Sequence, residues 1–331
     1  MDRRSWSLLL FLAALWGSSY LFIKIAIDDV SPPIVVFVRT LLGALVLLPI
    51  FLRRGGVEQL RGLVLPVFVL AAVQVAGPFV LISEGEQWIA SSLAGILVAS
   101  APIFTALIAL GITGEERANA WSIGGLAIGI AGVALLLGVD VGGKHLALLG
   151  SAFVLLAGLG YAVGAFIVKR GFKAVDPVWL VAATMAASAL LVLPAAIATV
   201  PSEVPGVGTW GALAMLGAGG TGLAFAIFYT LIKSQGPARA AIVAYIAPAF
   251  AVVYGVTLRG ESFGAGTAAG LVLILVGSWL AAEGRLPGRR AMPATAGAEA
   301  PETPAPSALL ESRQMFDSHP SSVARTGEHD R

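Results

Sequence analysis

One stretch of this chain is written twice. Ala94–Glu115 reads A-G-I-L-V-A-S-A-P-I-F-T-A-L-I-A-L-G-I-T-G-E, an apolar helix with a proline inside it and a Gly-Glu stop at its end. Ala240–Glu261 reads A-A-I-V-A-Y-I-A-P-A-F-A-V-V-Y-G-V-T-L-R-G-E, at an offset of 146 residues. Pro102 falls on Pro248, Phe104 on Phe250, Gly114 on Gly260 and Glu115 on Glu261. Seven of the 22 positions are identical, and in an alanine-rich chain the fixed Pro-x-Phe and Gly-Glu spacings weigh more than the alanine matches. Gly124 and Gly270 keep the same register beyond the two stops. An internal repeat constrains the fold more than any single motif, because each copy must build the same unit.

The unit is a membrane bundle. Only 12% of residues are charged and 57% are hydrophobic, against about 25% charged in soluble proteins, and the mean hydropathy is +0.89. A helical span needs about 20 apolar residues. Ten segments qualify: 7–27, 34–51, 63–82, 88–112, 121–139, 147–168, 178–200, 210–232, 238–258 and 264–282. Short loops separate them, marked by breakers such as Ser31-Pro32-Pro33, Gly142-Gly143, Asp176-Pro177 and Gly236-Pro237. The basic start and apolar run of the first 27 residues resemble a signal peptide, but the run matches every later segment and reads as an uncleaved first helix.

With the N-terminus in the cytoplasm, the inner loops and span ends hold fourteen Lys and Arg residues and the outer ones only Lys24, Lys144 and Arg259. That asymmetry puts both termini inside. Each copy holds five helices, an odd number, so the second enters the membrane from the opposite side. The earlier helices agree at an offset of 145: Trp16 on Tyr161, Lys24 on Lys169, Pro32 on Pro177. The expected fold is thus an all-α membrane protein of ten transmembrane helices in two inverted five-helix repeats, residues 1–140 and 141–284. Residues 285–331, rich in Pro, Ala, Glu and Ser, read as a disordered cytoplasmic tail. Inverted repeats are the construction of many secondary transporters.

The residues also resemble a known family. W-G-S-S-Y at Trp16–Tyr20, Arg39 in the second helix, the two P-x-F…G-E helices and the glycine-spaced helices Gly124–Gly138 and Gly264–Gly277 look like a ten-helix, EamA-type member of the drug/metabolite transporter superfamily. The resemblance covers about residues 7–284. It implies a secondary transporter, an exporter or permease for amino acids, other metabolites or drugs. The chain departs from the pattern at Ser83-Glu84-Gly85-Glu86-Gln87, which is more acidic than the family's third helix.

Other chemistries find little support. There is no cysteine, and two of the three histidines lie in the tail, so no metal site is expected. Gly217-Ala-Gly219-Gly220-Thr-Gly222 matches the dinucleotide fingerprint in letters, but its flanks are membrane helix where the motif needs a strand and a βαβ unit. No H-E-x-x-H, G-x-S-x-G or P-loop occurs. We expect no enzyme activity, no cofactor and no nucleic acid. The partners are a small solute and the lipid bilayer, and Gly125-x-x-x-Gly129 either seats helix 5 in the bundle or joins a homodimer. A membrane enzyme or non-transporting scaffold of the same architecture is the alternative reading.

The candidate substrate-binding residues are Trp16, Ser19, Tyr20, Arg39, Gln74, Tyr161, Tyr229 and Tyr245, giving aromatic walls with a few polar tips and one strong charge suited to a carboxylate. Arg39 sits five residues into its span; it either snorkels to the surface or faces inward, binding an anion or pairing with Glu84 or Glu86. Pro102 and Pro248 free the carbonyls of Val98 and Ala244 and are candidate hinges, or plain kinks. Pro78 frees the Gln74 carbonyl in the same way. Glu84 and Glu86, near a span end, are the candidates for proton coupling. Glu115 and Glu261 are expected to hold the fold by capping the helix that follows each of them. Lys24 and Lys169, at span ends, are expected to snorkel.

Overall fold

The computed structural model describes residues 1–113, 120–139 and 144–283. No strand occurs among them, and their regular structure is all helical. The helices are α1 Arg3–Ala26, α2 Pro32–Arg53, α3 Val64–Gly85, α4 Ser91–Gly111, α5 Ala120–Val139, α6 His145–Gly171, α7 Pro177–Ala198, α8 Val207–Gln235, α9 Val243–Arg259 and α10 Ala265–Glu283. Nine are long and apolar enough to cross a membrane, and α9 is a shorter apolar helix of 17 residues led in by the turn Pro237–Ala240. All ten segments expected from hydropathy are therefore present. Glu115 and the segment 285–331 lie outside the described residues.

The outer surface of the bundle confirms its solvent. On α2, Leu41, Leu45, Leu48 and Leu52 form an exposed stripe one turn apart. In water so large an apolar face would mark a docking site; facing lipid it costs nothing. Inside, the packing follows a twofold pattern between the copies. α1 packs on α9 as α6 packs on α4, and α3 packs on α6 as α8 packs on α1. The equivalent pairs α2 with α7 and α5 with α10 meet each other, as elements beside a twofold axis must.

Glycine makes the α5–α10 seam. A Cβ on Gly277 would stand 2.4 Å from the Gly129 nitrogen, and one on Gly125 would stand 2.5 Å from the Ala281 nitrogen. The G-x-x-x-G face of α5 is thus spent on α10 of the same chain, within the bundle. The Gly217–Gly222 run is spent similarly: a Cβ at Gly217 would meet Leu42 and at Gly222 Val46, both on α2, while at Gly220 it would meet Ser19 on α1.

The helices are not uniform. α3 widens to a π-helix at Ala72–Ala76, where the Gly77 amide reaches back to the Ala72 carbonyl. The wide turn precedes Pro78, which has no N–H to give and whose ring needs room. α8 widens at Met215–Leu223. Shifted by the repeat offset, the first π segment falls inside the second, so both copies loosen their third helix at the same place.

The two prolines of the repeat behave differently. α4 breaks at Ala99–Ser100, and Pro102 stands in the first turn of its second half. The Ala99 carbonyl at that break accepts from Ser278 Oγ of α10 at 2.9 Å. Pro248 instead lies inside the unbroken α9; the interruption in that copy comes earlier, at Ala241–Ile242. A hinge at Pro248 would have to work as a bend within a continuous helix, unlike the break at Pro102.

Candidate functional site

Arg39 is a strong charge inside the bundle. It points away from the surface and is 7% exposed, so it does not snorkel. Its Nε donates to Thr221 Oγ1 at 3.0 Å, and its Cζ lies 3.8 Å from the centre of the Phe79 ring. Its hydrogen-bond partner is therefore neither Glu84 nor Glu86 but a threonine of the other copy. Thr221 sits in the π segment of α8 and donates its own proton to the Leu216 carbonyl at 2.9 Å. The guanidinium is thus held from two sides, by an aromatic face on α3 and a hydroxyl on α8. Neither Thr221 nor Phe79 stood out in the sequence; the signal available was the threonine inside a glycine run one copy away.

Tyr20 and Tyr161 join this centre. Both pack against the apolar group containing Ile82, Val98 and Leu213. Tyr161 also packs with Phe79 and Phe225. Phe225 leads on to Trp16, at 5.8 Å between ring centres, and Trp16 lies 5.2 Å from Phe228. Tyr229 stacks on Phe225 at 6.5 Å. Five of the expected residues therefore belong to one tract between the copies: Trp16, Tyr20, Arg39, Tyr161 and Tyr229. The Ser19 hydroxyl is spent on the Leu15 carbonyl of its own helix at 3.2 Å. Gln74, in the π segment of α3, lays its Cβ against Gly164 of α6, one turn beyond Tyr161. Tyr245 faces elsewhere; its ring packs on Trp279 of α10 at 5.5 Å.

The acidic end of α3 divides into two unlike carboxylates. Glu84 stands at the rim and accepts from the Gln87 side chain. Glu86 is 0% exposed, and neither of its carboxylate oxygens has a hydrogen-bond partner. Its expected place near a span end was correct, but its burial was not legible: α6 closes over it, with Gly85 and Gly150 so close that a Cβ on Gly85 would stand 2.6 Å from the Gly150 carbonyl oxygen. Lys24 of α1 does not snorkel, contrary to expectation. It is partly buried and donates to the backbone carbonyls of Glu86 and Ile89.

Contacts between the copies gather at this same end of the bundle. Arg259 pairs with Asp28 at 3.2 Å. Asp29 accepts from the Gly206 amide at 3.0 Å and from the Thr209 hydroxyl, bonds that hold its carboxyl below the ordinary carboxylate range. Ser31 and Thr199 share a hydrogen bond of 2.7 Å. Gly260, at φ +66°, turns the chain after α9 so that Glu261 reaches the start of α4. There its carboxylate accepts from the Ser91 amide and hydroxyl, each at 2.8 Å, and from the Ser92 amide at 2.9 Å. The cap expected of Glu261 exists, but on α4 across the repeat interface and not on the helix that follows. Burial pushes this carboxyl up, and the bonds from Ser92 and Ser91 outweigh it and hold it below its ordinary value. At the opposite end, Arg54 pairs with Asp176, which caps α7 through the Val178 and Trp179 amides.

Two hollows are lined neither by Arg39, Thr221 and Phe79 nor by the aromatic tract. One of about 510 Å³ runs between α1, α8 and α9, lined by residues including Leu15, Ser18, Phe22, Met215, Tyr254 and Arg259. A smaller one of about 150 Å³ lies under the Glu261 cap, between Trp88, Ser92, Lys144 and Ser262. Among the described residues no group of three His, Asp or Glu side chains is placed to hold a metal ion.

The sequence profile described as the EamA-like transporter family matches twice, at residues 4–138 and 148–282. The uncharacterized inner membrane transporter YedA of Escherichia coli K12 is 29% identical over 255 residues, covering 75% of this chain and 80% of YedA. A probable terminal-alkyne amino-acid exporter of Streptantibioticus cattleyicolor is 31% identical over 158 residues, 47% of this chain and 51% of the exporter. A solved crystal structure, 23% identical in sequence, superposes with a TM-score of 0.60 and covers 85% of this chain and 97% of its own; it shows a shared fold.

Proposed function

This chain belongs to the EamA-like transporter family, and on that premise we propose that it is a secondary transporter that exports small amino-acid-like or amphipathic metabolites by alternating access between its two copies. The observation that carries the reading is the position of Arg39: a guanidinium fixed inside the bundle at the seam of the copies, held by Thr221 and Phe79. A charge kept at such depth is costly and is retained where a solute pathway needs it. Its planar fork suits a carboxylate. Tyr20, Tyr161, Trp16 and Tyr229 would supply apolar walls for the remainder of the solute. The relative named as an amino-acid exporter supports the same class of substrate.

In this reading the protein sits in a bacterial inner membrane with both termini in the cytoplasm. The end of the bundle bearing Asp28, Arg259 and Glu261 is then the outer face, closed by contacts between the copies. Binding a solute at Arg39 would bias the bundle between this arrangement and one opened outward. Counterflow in liposomes containing the purified protein tests the proposal. Liposomes preloaded with an unlabelled amino acid should accumulate the labelled compound transiently; absence of accumulation across amino acids, peptides and amphipathic drugs would leave the scaffold reading standing.

A further inference from the structure

The Asp28–Arg259 pair stands at the end of a groove. The larger hollow, of about 510 Å³, lies between α1 of the first copy and α8 and α9 of the second. Phe11, Met215 and Leu258 are exposed at its edges, and Leu15 and Leu21 are buried along its floor. These edges lie within apolar spans, so hydrocarbon surrounds the opening. The lining follows α1 from Phe11 to Ile25, about 21 Å at 1.5 Å per residue. Half of a hydrocarbon core of roughly 30 Å is about 15 Å. The groove is therefore long enough to take one lipid acyl chain from headgroup level to the middle of the bilayer. The one hydroxyl of α1 on this lining, that of Ser18, is turned to the Leu15 carbonyl of its own helix at 2.9 Å, which leaves the α1 wall apolar.

The charges at the end of the groove say which headgroup fits. Arg259 closes it as the last residue of α9. The guanidinium donates to Asp28 through Nη1; Nε and Nη2 make no hydrogen bond to a described residue. A guanidinium fork with donors to spare suits a phosphate. The rim is not basic, however. Asp28 is exposed beside the arginine, and Asp29 follows it, held ionised by its bonds from the Gly206 amide and the Thr209 hydroxyl. A headgroup of net negative charge meets two carboxylates for one cation. A headgroup that carries an ammonium as well as its phosphate meets a partner for each: Arg259 for the phosphate and Asp28 for the ammonium.

We propose that this groove binds one phosphatidylethanolamine molecule, with an acyl chain between α1, α8 and α9, its phosphate on the remaining donors of Arg259 and its ammonium on Asp28. Asp28 belongs to the first copy and Arg259 to the second, so the headgroup ties the copies together at this end. A lipid that binds this arrangement stabilises it. The site is separate from the Arg39 centre, whose residues do not line the groove.

Three phospholipids with the same dioleoyl chains separate the contributions of the headgroup. Phosphatidylcholine keeps both charges, but its quaternary ammonium has no N–H to donate; phosphatidylglycerol has no cation. Each is titrated into the full-length protein, stripped of lipid in mild detergent, with binding read by native mass spectrometry and by melting temperature. Phosphatidylethanolamine should bind about tenfold more tightly than either, the worth of one charge-assisted hydrogen bond, and should raise the melting temperature most. Asp28→Asn should abolish the preference over phosphatidylcholine. Arg259→Gln should weaken phosphatidylethanolamine and phosphatidylcholine alike, by about tenfold. Both substitutions break only a partly exposed ion pair, which contributes little to folding. Ala14→Phe, which fills the groove and leaves the charges in place, should weaken all three lipids. Equal binding of the three lipids by the wild type would overturn the proposal, since it would describe an ordinary lipid shell. Tightest binding of phosphatidylglycerol would overturn the headgroup match, and wild-type binding of phosphatidylethanolamine by Ala14→Phe would place the lipid elsewhere. The wild-type comparison decides even where a variant fails to fold, and none of these outcomes depends on whether the protein moves a solute.

Discussion

Arg39 on α2 and Thr221 on α8 stand 182 positions apart in the chain and share a hydrogen bond of 3.0 Å. The bond joins the first copy to the π-helical segment of the second, where the threonine hydroxyl is already anchored to the Leu216 carbonyl. It fixes the direction of the guanidinium.

Thr221→Val removes the acceptor while keeping the shape, so a buried charged donor loses its partner. We expect a loss of about 1–3 kcal/mol in stability, seen as a lower melting temperature in detergent, together with weaker binding of carboxylate solutes. Thr221→Ser should retain most of both. A Thr221→Val protein equal to wild type in stability and affinity would mean that Phe79 alone positions Arg39.

The sequence already located Arg39 and its depth, because an arginine in an apolar run is conspicuous. It could not supply Thr221, since no pattern links a threonine in a glycine run to a residue in a distant helix. The ten spans were readable from hydropathy and the twofold arrangement from the repeat. The π segments were not: the one in α3 has Pro78 as a cue, but that in α8 contains no proline and arises where glycines allow close contact with α1 and α2. The burial of Glu86 was not legible for a related reason. A carboxylate at a span end looks solvated until the glycine contact between α3 and α6 covers it. Lys24 was expected to snorkel at its own span end and Glu261 to cap the helix that follows it, whereas both reach across to the segment that leads into α4.

Glu261 should make stability depend on pH. Its carboxyl is held below the ordinary value in the folded protein, so the cap is fully effective above about pH 4.3, the ordinary glutamate value, and is lost as the pH falls through the lower folded value. Glu261→Gln should cost about 1 kcal/mol at neutral pH, as loss of a good cap does, and flatten the acid limb of melting temperature against pH. An acid limb as steep in the variant as in the wild type would assign the loss to other carboxylates.

Adjacent glycines on α5 should respond oppositely to alanine. A Cβ at Gly124 meets nothing within 4 Å, whereas one at Gly125 stands 2.5 Å from a backbone nitrogen of α10. Gly124→Ala should be neutral or stabilising by up to about 1 kcal/mol, from helix propensity. Gly125→Ala should destabilise by about 1–3 kcal/mol through overpacking. Similar melting temperatures for the two would contradict the glycine seam.

Orientation can be tested directly, because the chain contains no cysteine. Single cysteines at Lys173 and Ser262, both exposed, fall on opposite faces of the proposed topology. An impermeant thiol reagent applied to intact cells should label Ser262→Cys and not Lys173→Cys. The reverse pattern would invert the topology, and labelling of both would remove it.

Alternating access, as proposed, requires the contacts between the copies at the face that bears Asp28 and Arg259 to part. Asp28 and Arg259, paired at 3.2 Å across that face, are accessible sites for a two-cysteine variant joined by a short cleavable bismaleimide. With the bridge in place, solute should still raise the melting temperature, because the interior site is untouched, while counterflow in liposomes falls to background; cleaving the bridge should restore it. Full-rate counterflow through the bridged protein would contradict transport by separation of the two copies at this face.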